Sequence, residues 1–280
     1  MTLAEFVYTV LLKPRPLRVA ANAAIRALLP ASVRVGGATV WLNPEDPVIS
    51  GALMLGVYER REIAFFRSRF AADMTFIDVG ANVGLYSALA LSTPGLRGRV
   101  LAIEPHGESR AYLKKTLEAS ARPQAAQICE LAAAESPGTL TLYKNPDNKG
   151  DNRLYADPLL RGEETIAADT LDNICRRHGI ASAQFIKIDV QGAEARVMRG
   201  ASGLLGASAE CVLMTEFWPR GLARCGGDGL EYLEMLRALG FRLYELGKDL
   251  APVDDPRALV ERTQGRRYAN LVGVKGNARL

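Results

Sequence analysis

The sequence predicts an α/β fold in which a mostly parallel sheet is covered by helices on both faces. Three observations carry that expectation. Thr75-Phe76-Ile77-Asp78-Val79, an apolar run rich in β-branched and aromatic residues, passes through the turn Gly80-Ala81-Asn82-Val83-Gly84 into the helix-like Leu85-Tyr-Ser-Ala-Leu-Ala-Leu91. Strand-like and helix-like segments then alternate, the pattern of parallel strands joined by crossover helices. The last two strand-like runs have no convincing helix between them, because Pro252 and Pro256 interrupt that stretch; they are expected to pair as an antiparallel hairpin at one edge.

The chain has 280 residues, which suits one large α/β domain with an extension. With 48% hydrophobic and 24% charged residues it can bury a sizeable core. The net charge of +4 is small and arginine is spread along the chain, so no nucleic-acid partner is expected. Four cysteines (129, 175, 211 and 225) form no Cys-x-x-Cys pair and there are only two histidines, so no Cys/His zinc site is expected and a reducing, cytoplasmic setting fits. Cys129 and Cys211 sit in apolar runs and read as buried thiols. The N-terminus lacks a basic leader and carries Glu5 within its apolar stretch, which argues against a secretory signal. No apolar run reaches the roughly 18 residues of a spanning helix. An amphipathic N-terminal helix is compatible with membrane or partner contact, but the reading goes against it.

In order, residues 1–30 read as one or two helices broken at Pro14 and Pro16, and residues 33–42 as a hairpin around Gly36-Gly37. Pro44 and Pro47 mark a loop. From Val57 to Phe70, Ile63, Phe66 and Phe70 fall at helical spacing. Residues 1–50 are thus an N-terminal extension of helices and a hairpin, and 51–280 the main domain. There, strand 75–79 leads to helix 83–92, strand 99–103 to Glu104-Pro105 and helix 107–120, followed by a short strand at 126–131. An added strand at 139–143 precedes a long polar loop, 145–161. Asp169 to Gly179 reads as a capped helix, 185–189 as the fourth core strand, 192–205 as a helix and 211–216 as the fifth strand. Helix 229–239 and strands 241–246 and 268–274 close the chain.

Two cofactors compete for the glycine turn. A dinucleotide fingerprint needs Gly-x-Gly-x-x-Gly and an acid about 20 residues later. Here Asn82 stands where a close glycine is wanted, and Asp78 at the strand tip would repel a pyrophosphate. A carboxylate there favours the cationic amino-acid end of S-adenosylmethionine, with Gly80 and Gly84 giving close approach. Capping of the following helix is the plainer role for Asp78, and the two can coexist. Glu104 suits either cofactor, since an acid at that strand end accepts from ribose hydroxyls.

The combination Asp78-Val-Gly-Ala-Asn-Val-Gly-Leu-Tyr-Ser87, Glu104-Pro105, Asp151-Asn-Arg153, Thr170-Leu-Asp172 and Phe185-Ile-Lys-Ile-Asp-Val-Gln-Gly-Ala-Glu194 resembles the FkbM family of methyltransferases, over about residues 55–250. The resemblance implies a class I methyltransferase fold, three-layered and Rossmann-like, with a seven-stranded sheet whose final strand is antiparallel. It implies S-adenosylmethionine as cofactor and O-methylation of a sugar, glycan or secondary-metabolite hydroxyl. Asp78, Gly80, Ala81, Asn82, Gly84, Glu104, Pro105 and Asp189 are the expected cofactor residues. One departure is Gln191, where the family motif usually carries Glu.

In open α/β sheets ligands sit beyond the carboxyl ends of the strands, which brings Asp78, Glu104, Asp189 and Glu216 to one rim. Asp189 and Glu216 are the catalytic candidates, as base or acceptor-orienting group. A Lys187–Asp189 ion pair that only orders the strand end is the plainer alternative. Two acids are few ligands for a divalent cation, so no metal is expected. Glu194 is read as stabilising a helix start. Asp151, Asn152 and Arg153, on a long loop with no core to serve, are expected to contact substrate, and Trp218 to wall its pocket unless it is core. His106 lies on the adenosine side and is a poor base. The rivals are a nicotinamide-dependent oxidoreductase and a non-catalytic module that binds the cofactor or a partner enzyme.

Overall fold

The computed structural model describes residues 15–265 and 267–278. The part of the N-terminal helical reading that covers residues 1–14 lies outside them. The described chain starts with helix α1 (Arg15–Leu28) and a hairpin of β1 (Ser32–Val35) and β2 (Ala38–Trp41) that turns at Gly36-Gly37, both with positive φ. Helix α2 (Pro47–Met54) follows where a loop was expected. Pro47 occupies its first turn, where no backbone N–H is needed, and Asp46 caps it by accepting from Ile49 N. This helix spans residues 50 and 51, where the sequence divides extension from domain.

Helix α3 (Arg60–Arg69) leads into β3 (Phe76–Val79), the glycine turn and α4 (Leu85–Leu91). Then come β4 (Val100–Ile103), α5 (Gly107–Glu118) and β5 (Ala126–Cys129). The added strand expected at 139–143 is β7 (Gly138–Tyr143); with β6 (Ala132–Ala134) and β8 (Glu163–Thr170), which the sequence reading did not expect, it builds a separate three-stranded sheet in the order β6-β8-β7. Helix α6 (Leu171–Arg177) therefore starts at Leu171 with Thr170 as its cap. After β9 (Phe185–Ile188) the expected single helix is two, α7 (Glu194–Arg199) and α8 (Ser202–Ala207). They part at Gly200, where any side chain would overlap the Ala134 carbonyl oxygen.

The chain ends with β10 (Cys211–Phe217), α9 (Pro219–Arg224), α10 (Gly229–Ala238), β11 (Phe241–Leu246), β12 (Leu250–Pro252), α11 (Pro256–Arg262) and β13 (Ala269–Lys275). The main sheet runs β12-β11-β13-β10-β9-β3-β4-β5. Strands β5, β4, β3, β9 and β10 pair in parallel, and β13 lies antiparallel between β10 and β11. These are the seven expected strands with an antiparallel last one, plus the short β12 at the edge. A helix does separate the last two core strands, because Asp255 caps α11 and Pro256 sits in its first turn.

The period of two sorts side chains between the two faces. Ile77, Val79, Ile186, Ile188 and Leu213 join one buried cluster, with Leu171 and Met198. Phe76, Phe185, Val212 and Met214 join the other, with Phe66, where Phe66, Phe70, Phe76 and Phe185 pack ring against ring at 4.9–6.2 Å. Continuing that second face past the apolar rows puts Asp78, Lys187 and Glu216 at the carboxyl ends of three adjacent strands. The hairpin and α2 are part of this half: Val40, Leu42 and Ile49 share the cluster with Phe66.

Candidate active site

The glycine turn is held from both sides. Gly80 N and Ala81 N donate to Ile103 O at 3.0 and 3.1 Å. Gly80 (φ 82) lies so close to β9 that a methyl group would overlap the Asp189 carbonyl oxygen. Asn82 (φ 48) and Gly84 (φ 86) are also left-handed, and Gly84 fits against Leu113 of α5. This backbone brings the turn, the end of β4 and the end of β9 together.

Of the three acids expected at the cofactor, Asp78 and Glu104 brace the turn, while the Asp189 carboxylate meets the side chains of Lys187 and Gln191. Asp78 is 1% exposed and accepts from Ser87 N at 3.1 Å and Ser87 Oγ at 2.7 Å. It holds α4 to the tip of β3, and its burial raises its carboxyl above the ordinary range, with Lys187 pulling the other way. Glu104 accepts from Asn82 N at 2.8 Å and from His106 N at 2.9 Å, and burial pushes it up to about 7. Pro105 lies beside it, its carbonyl accepting from Arg110. His106 is buried, with Nδ1 3.1 Å from Ser109 Oγ.

Two cavities adjoin the turn and share part of their lining. The smaller, about 80 Å³, is lined by Gly80, Asn82, Glu104, Pro105, His106 and Asn152 among others. The larger, about 820 Å³, has Asp78, Ala81, Asp189 and Glu216 inside and Trp218 and Tyr268 on its wall. Gly80, Asn82, Gly150, Asp189 and Gln191 line both. Three buried amide atoms around them have no partner among the described residues: Asn82 Oδ1, Asn148 Oδ1 and Asn152 Nδ2. Two acceptors and a donor, beside a carboxylate at the end of β4, fit a ligand carrying an ammonium, a carboxylate and ribose hydroxyls. The residues present therefore fit S-adenosylmethionine.

At the far end of the turn the charges meet. Lys187 Nζ is 3.0 Å from Asp189 Oδ2 and stands over the Tyr86 ring at 4.8 Å. Burial alone would lower its proton affinity, but Asp189, Glu59 and Asp78 outweigh that and hold it above the usual range. Gln191 donates to Asp189 Oδ1 at 2.7 Å and approaches Glu216 Oε2 at 3.4 Å. Burial first, then the charges of Asp189 and Glu194, push Glu216 well up. Glu194 turns back to accept from Val190 N at 3.1 Å and Gly192 N at 3.2 Å, so it braces the connection before its helix. Among the described residues no three His, Cys, Asp or Glu side chains gather as a metal site.

The loop trio divides. Arg153 grips Asp151 with Nε and Nη2 at 2.7 and 2.9 Å, reaches Asp157 at 3.3 Å, and lies over the Tyr155 and Trp218 rings. Asp151 and Arg153 face the larger cavity, while Asn152 faces the smaller one beside Glu104. Trp218 is half-buried at the cavity wall and donates to Gly265 O at 3.3 Å. The sequence reading missed Glu59, whose left-handed backbone (φ 38) carries a carboxylate that accepts from Tyr86 OH at 2.6 Å. It also missed that Gln191 joins the two catalytic candidates. A Gln next to the strand-end acid was visible, but its reach depends on a positive φ of 54 that the residue type does not announce.

Residues 78–243 match the family model of the methyltransferase FkbM domain, which covers more than half of the chain. The chain belongs to the FkbM family of S-adenosylmethionine-dependent methyltransferases, and the nicotinamide reading falls. Among characterised proteins it is similar to the AMB antimetabolite synthetase AmbE of Pseudomonas aeruginosa, 29% identical over 254 residues that take in 77% of this chain and 11% of the synthetase. It is also similar to methyltransferase sdnD of Sordaria araneosa, 26% identical over 153 residues, covering 44% of this chain and 59% of that protein. The chain thus spans a tenth and about three fifths of the lengths of these two relatives. Among solved structures, the methyltransferase FkbM of Methylobacillus flagellatus KT superposes with a TM-score of 0.48 at 15% identity, over 92% of this chain and 59% of that one. No helix among the described residues is long and apolar enough to cross a membrane.

Proposed function

We propose that this protein transfers a methyl group from S-adenosylmethionine to a hydroxyl of a sugar, glycan or secondary metabolite, and that Asp189 and Glu216 form the catalytic pair. The observation that carries this is the meeting of a glycine turn and a loop, which bring the orphaned amide atoms of Asn82, Asn148 and Asn152 together, with a cavity of about 820 Å³ lined by Asp189 and Glu216. When bound, S-adenosylmethionine supplies a methyl group on a cationic sulfur; the acceptor hydroxyl gains that carbon and gives up one proton. Holding acceptor and cofactor in line contributes up to about 7–11 kcal/mol, and a positioned base adds roughly 100- to 10,000-fold.

In this reading Gly80, Ala81, Asn82, Gly84, Glu104 and Pro105 form the bed of the cofactor, with Asp78 shaping the turn from below. Asp151, Arg153 and Trp218 touch the acceptor, and Asn152 goes to the cofactor side. Residues 1–50 form an N-terminal extension to the methyltransferase domain, 51–280; of their described part, Val40, Leu42 and Ile49 pack into the core of that domain. The test is methyl-labelled S-adenosylmethionine offered with a panel of sugars and hydroxylated metabolites. Label on an acceptor oxygen, lost at least 100-fold in Asp189→Asn or Glu216→Gln, is the expected result. Label on nitrogen overturns the O-methylation reading, and rates unchanged in both variants overturn the catalytic pair. A non-catalytic module would bind the cofactor and label nothing in any panel.

A further inference from the structure

The connection after β9 is built to present one side chain. Gln191 (φ 54) and Gly192 (φ 105) are left-handed in succession, a region that disfavours a side chain at the first of them. Glu194 clamps the connection through Val190 N and Gly192 N, and a side chain at 192 would strike the backbone of Gly221. The result is that the Gln191 amide lies between Asp189 and Glu216, at 2.7 and 3.4 Å. Only its NH₂ end can face two carboxylates, since an amide oxygen there would meet acceptors alone.

Asp189 then has a close donor on each oxygen, Gln191 on Oδ1 and Lys187 on Oδ2. Glu216 meets the same amide at the longer distance. The remaining charged and titratable groups around Glu216 come from every side: Glu194 from α7, Glu59 from the segment before α3, Lys187 from β9 and Tyr268 ahead of β13. A Glu at 191 would put a further carboxylate directly between Asp189 and Glu216.

We propose that Gln191 is a positioning residue that divides the work between the two acids: with Lys187 it holds Asp189 as a fixed anchor, and it leaves Glu216 to take the acceptor's proton. The inference rests on the O-methylation reading. Glu216 accepts the hydroxyl proton as the oxygen gains the methyl group, the sulfur keeps the electron pair of the broken carbon–sulfur bond, and the proton then passes to solvent.

The test needs no acceptor. Glutamate carboxyl carbons are labelled with ¹³C, and the Glu216 resonance is identified by its loss in Glu216→Gln. Its titration is then followed in the wild type, Gln191→Met and Gln191→Leu. Losing a donor to the charged form raises the Glu216 midpoint, by about half a pH unit or more. A midpoint unmoved in the folded variants overturns the proposal, and either variant suffices if the other does not fold. Calorimetry with S-adenosylhomocysteine on the same wild-type sample separates the two ideas. Absence of binding removes the methyl-transfer reading, while the Glu216 titration still decides what Gln191 does.

Discussion

Lys187 Nζ stands 3.0 Å from Asp189 Oδ2, two residues along the same strand end, with the lysine side chain 10% and the aspartate side chain 25% exposed. The pair is part of a larger balance, because the charge of Lys187 also pulls the carboxyls of Asp78, Glu59 and Glu216 down against the effect of burial. Removing it leaves several buried carboxylates uncompensated. Lys187→Met is expected to cost about 3–5 kcal/mol, the range for breaking a buried ion pair from one side. Urea unfolding at pH 7 measures it. A loss below about 1 kcal/mol, the range of an exposed pair, would show that solvent already screens the cluster.

Gly80 and Gly37 separate two meanings of a positive φ. Both are left-handed, at 82° and 97°. Around Gly37 a methyl group meets nothing within 4 Å, so Gly37→Ala carries backbone strain alone, about 1 kcal/mol. At Gly80 the same methyl group overlaps the Asp189 carbonyl oxygen, which would force β3 and β9 apart at the site. Gly80→Ala is expected to lower the melting temperature far more than Gly37→Ala and to abolish S-adenosylhomocysteine binding in calorimetry. Equal melting temperatures would mean that the two strand ends are not in contact.

Glu194 makes stability depend on pH. Burial raises its carboxyl from 4.5 to about 7. The folded state therefore holds the proton more tightly than the unfolded one. The stability this adds is fully present below about pH 4.5 and is lost as pH rises through about 7, a swing of roughly 3 kcal/mol. Glu194→Gln keeps an acceptor for Val190 N and Gly192 N but cannot ionise. The difference in unfolding free energy, wild type minus variant, should fall between pH 4.5 and 7 and flatten above. A difference that is constant or rises over that window contradicts the buried, protonated carboxyl. Glu104, also pushed up to about 7, is present in both proteins and cancels.

Legibility in the sequence follows how local the signal is. The core strands were readable because Phe76, Ile77, Phe185 and Ile186 are apolar in short runs buried on both faces, and the rim acids because they end those runs. Helices α2 and α11 were hidden by Pro47 and Pro256, which look like breakers until the capping carboxylates of Asp46 and Asp255 are seen ahead of them. Strand β8 was hidden because Glu163-Glu164-Thr165 carries little apolar pattern; its pairing with β7 defines it. In the site, Asp189 and Glu216 follow from strand order alone. The bridging of both by Gln191 does not, nor does the Glu59–Tyr86 contact, because each depends on a left-handed backbone at a residue other than glycine.

Asp46 ties the N-terminal segment to the loop over the site. It is fully buried, and one carboxylate oxygen caps α2 at Ile49 N while the other accepts from Lys149 N, each at 3.0 Å. Next to it Gly150 packs so tightly on Ile49 that a side chain would overlap, and Asn148 brings an unpartnered amide oxygen to the larger cavity. Asp46→Ala loses a cap worth about 0.5–2 kcal/mol and leaves a second N–H without its acceptor. Backbone exchange at 148–151 should quicken by an order of magnitude or more, since about 1.4 kcal/mol of lost local stability is tenfold in the opening equilibrium. Affinity for S-adenosylhomocysteine should fall with it, because the amides of Asn148 and Asn152 ride on that loop. Hydrogen exchange followed by mass spectrometry, with calorimetry on the same samples, reads both effects. Faster exchange with unchanged affinity would detach the loop from the cofactor and leave its asparagines to the acceptor. Unchanged exchange would mean that contacts other than the Asp46 carboxylate hold the loop down.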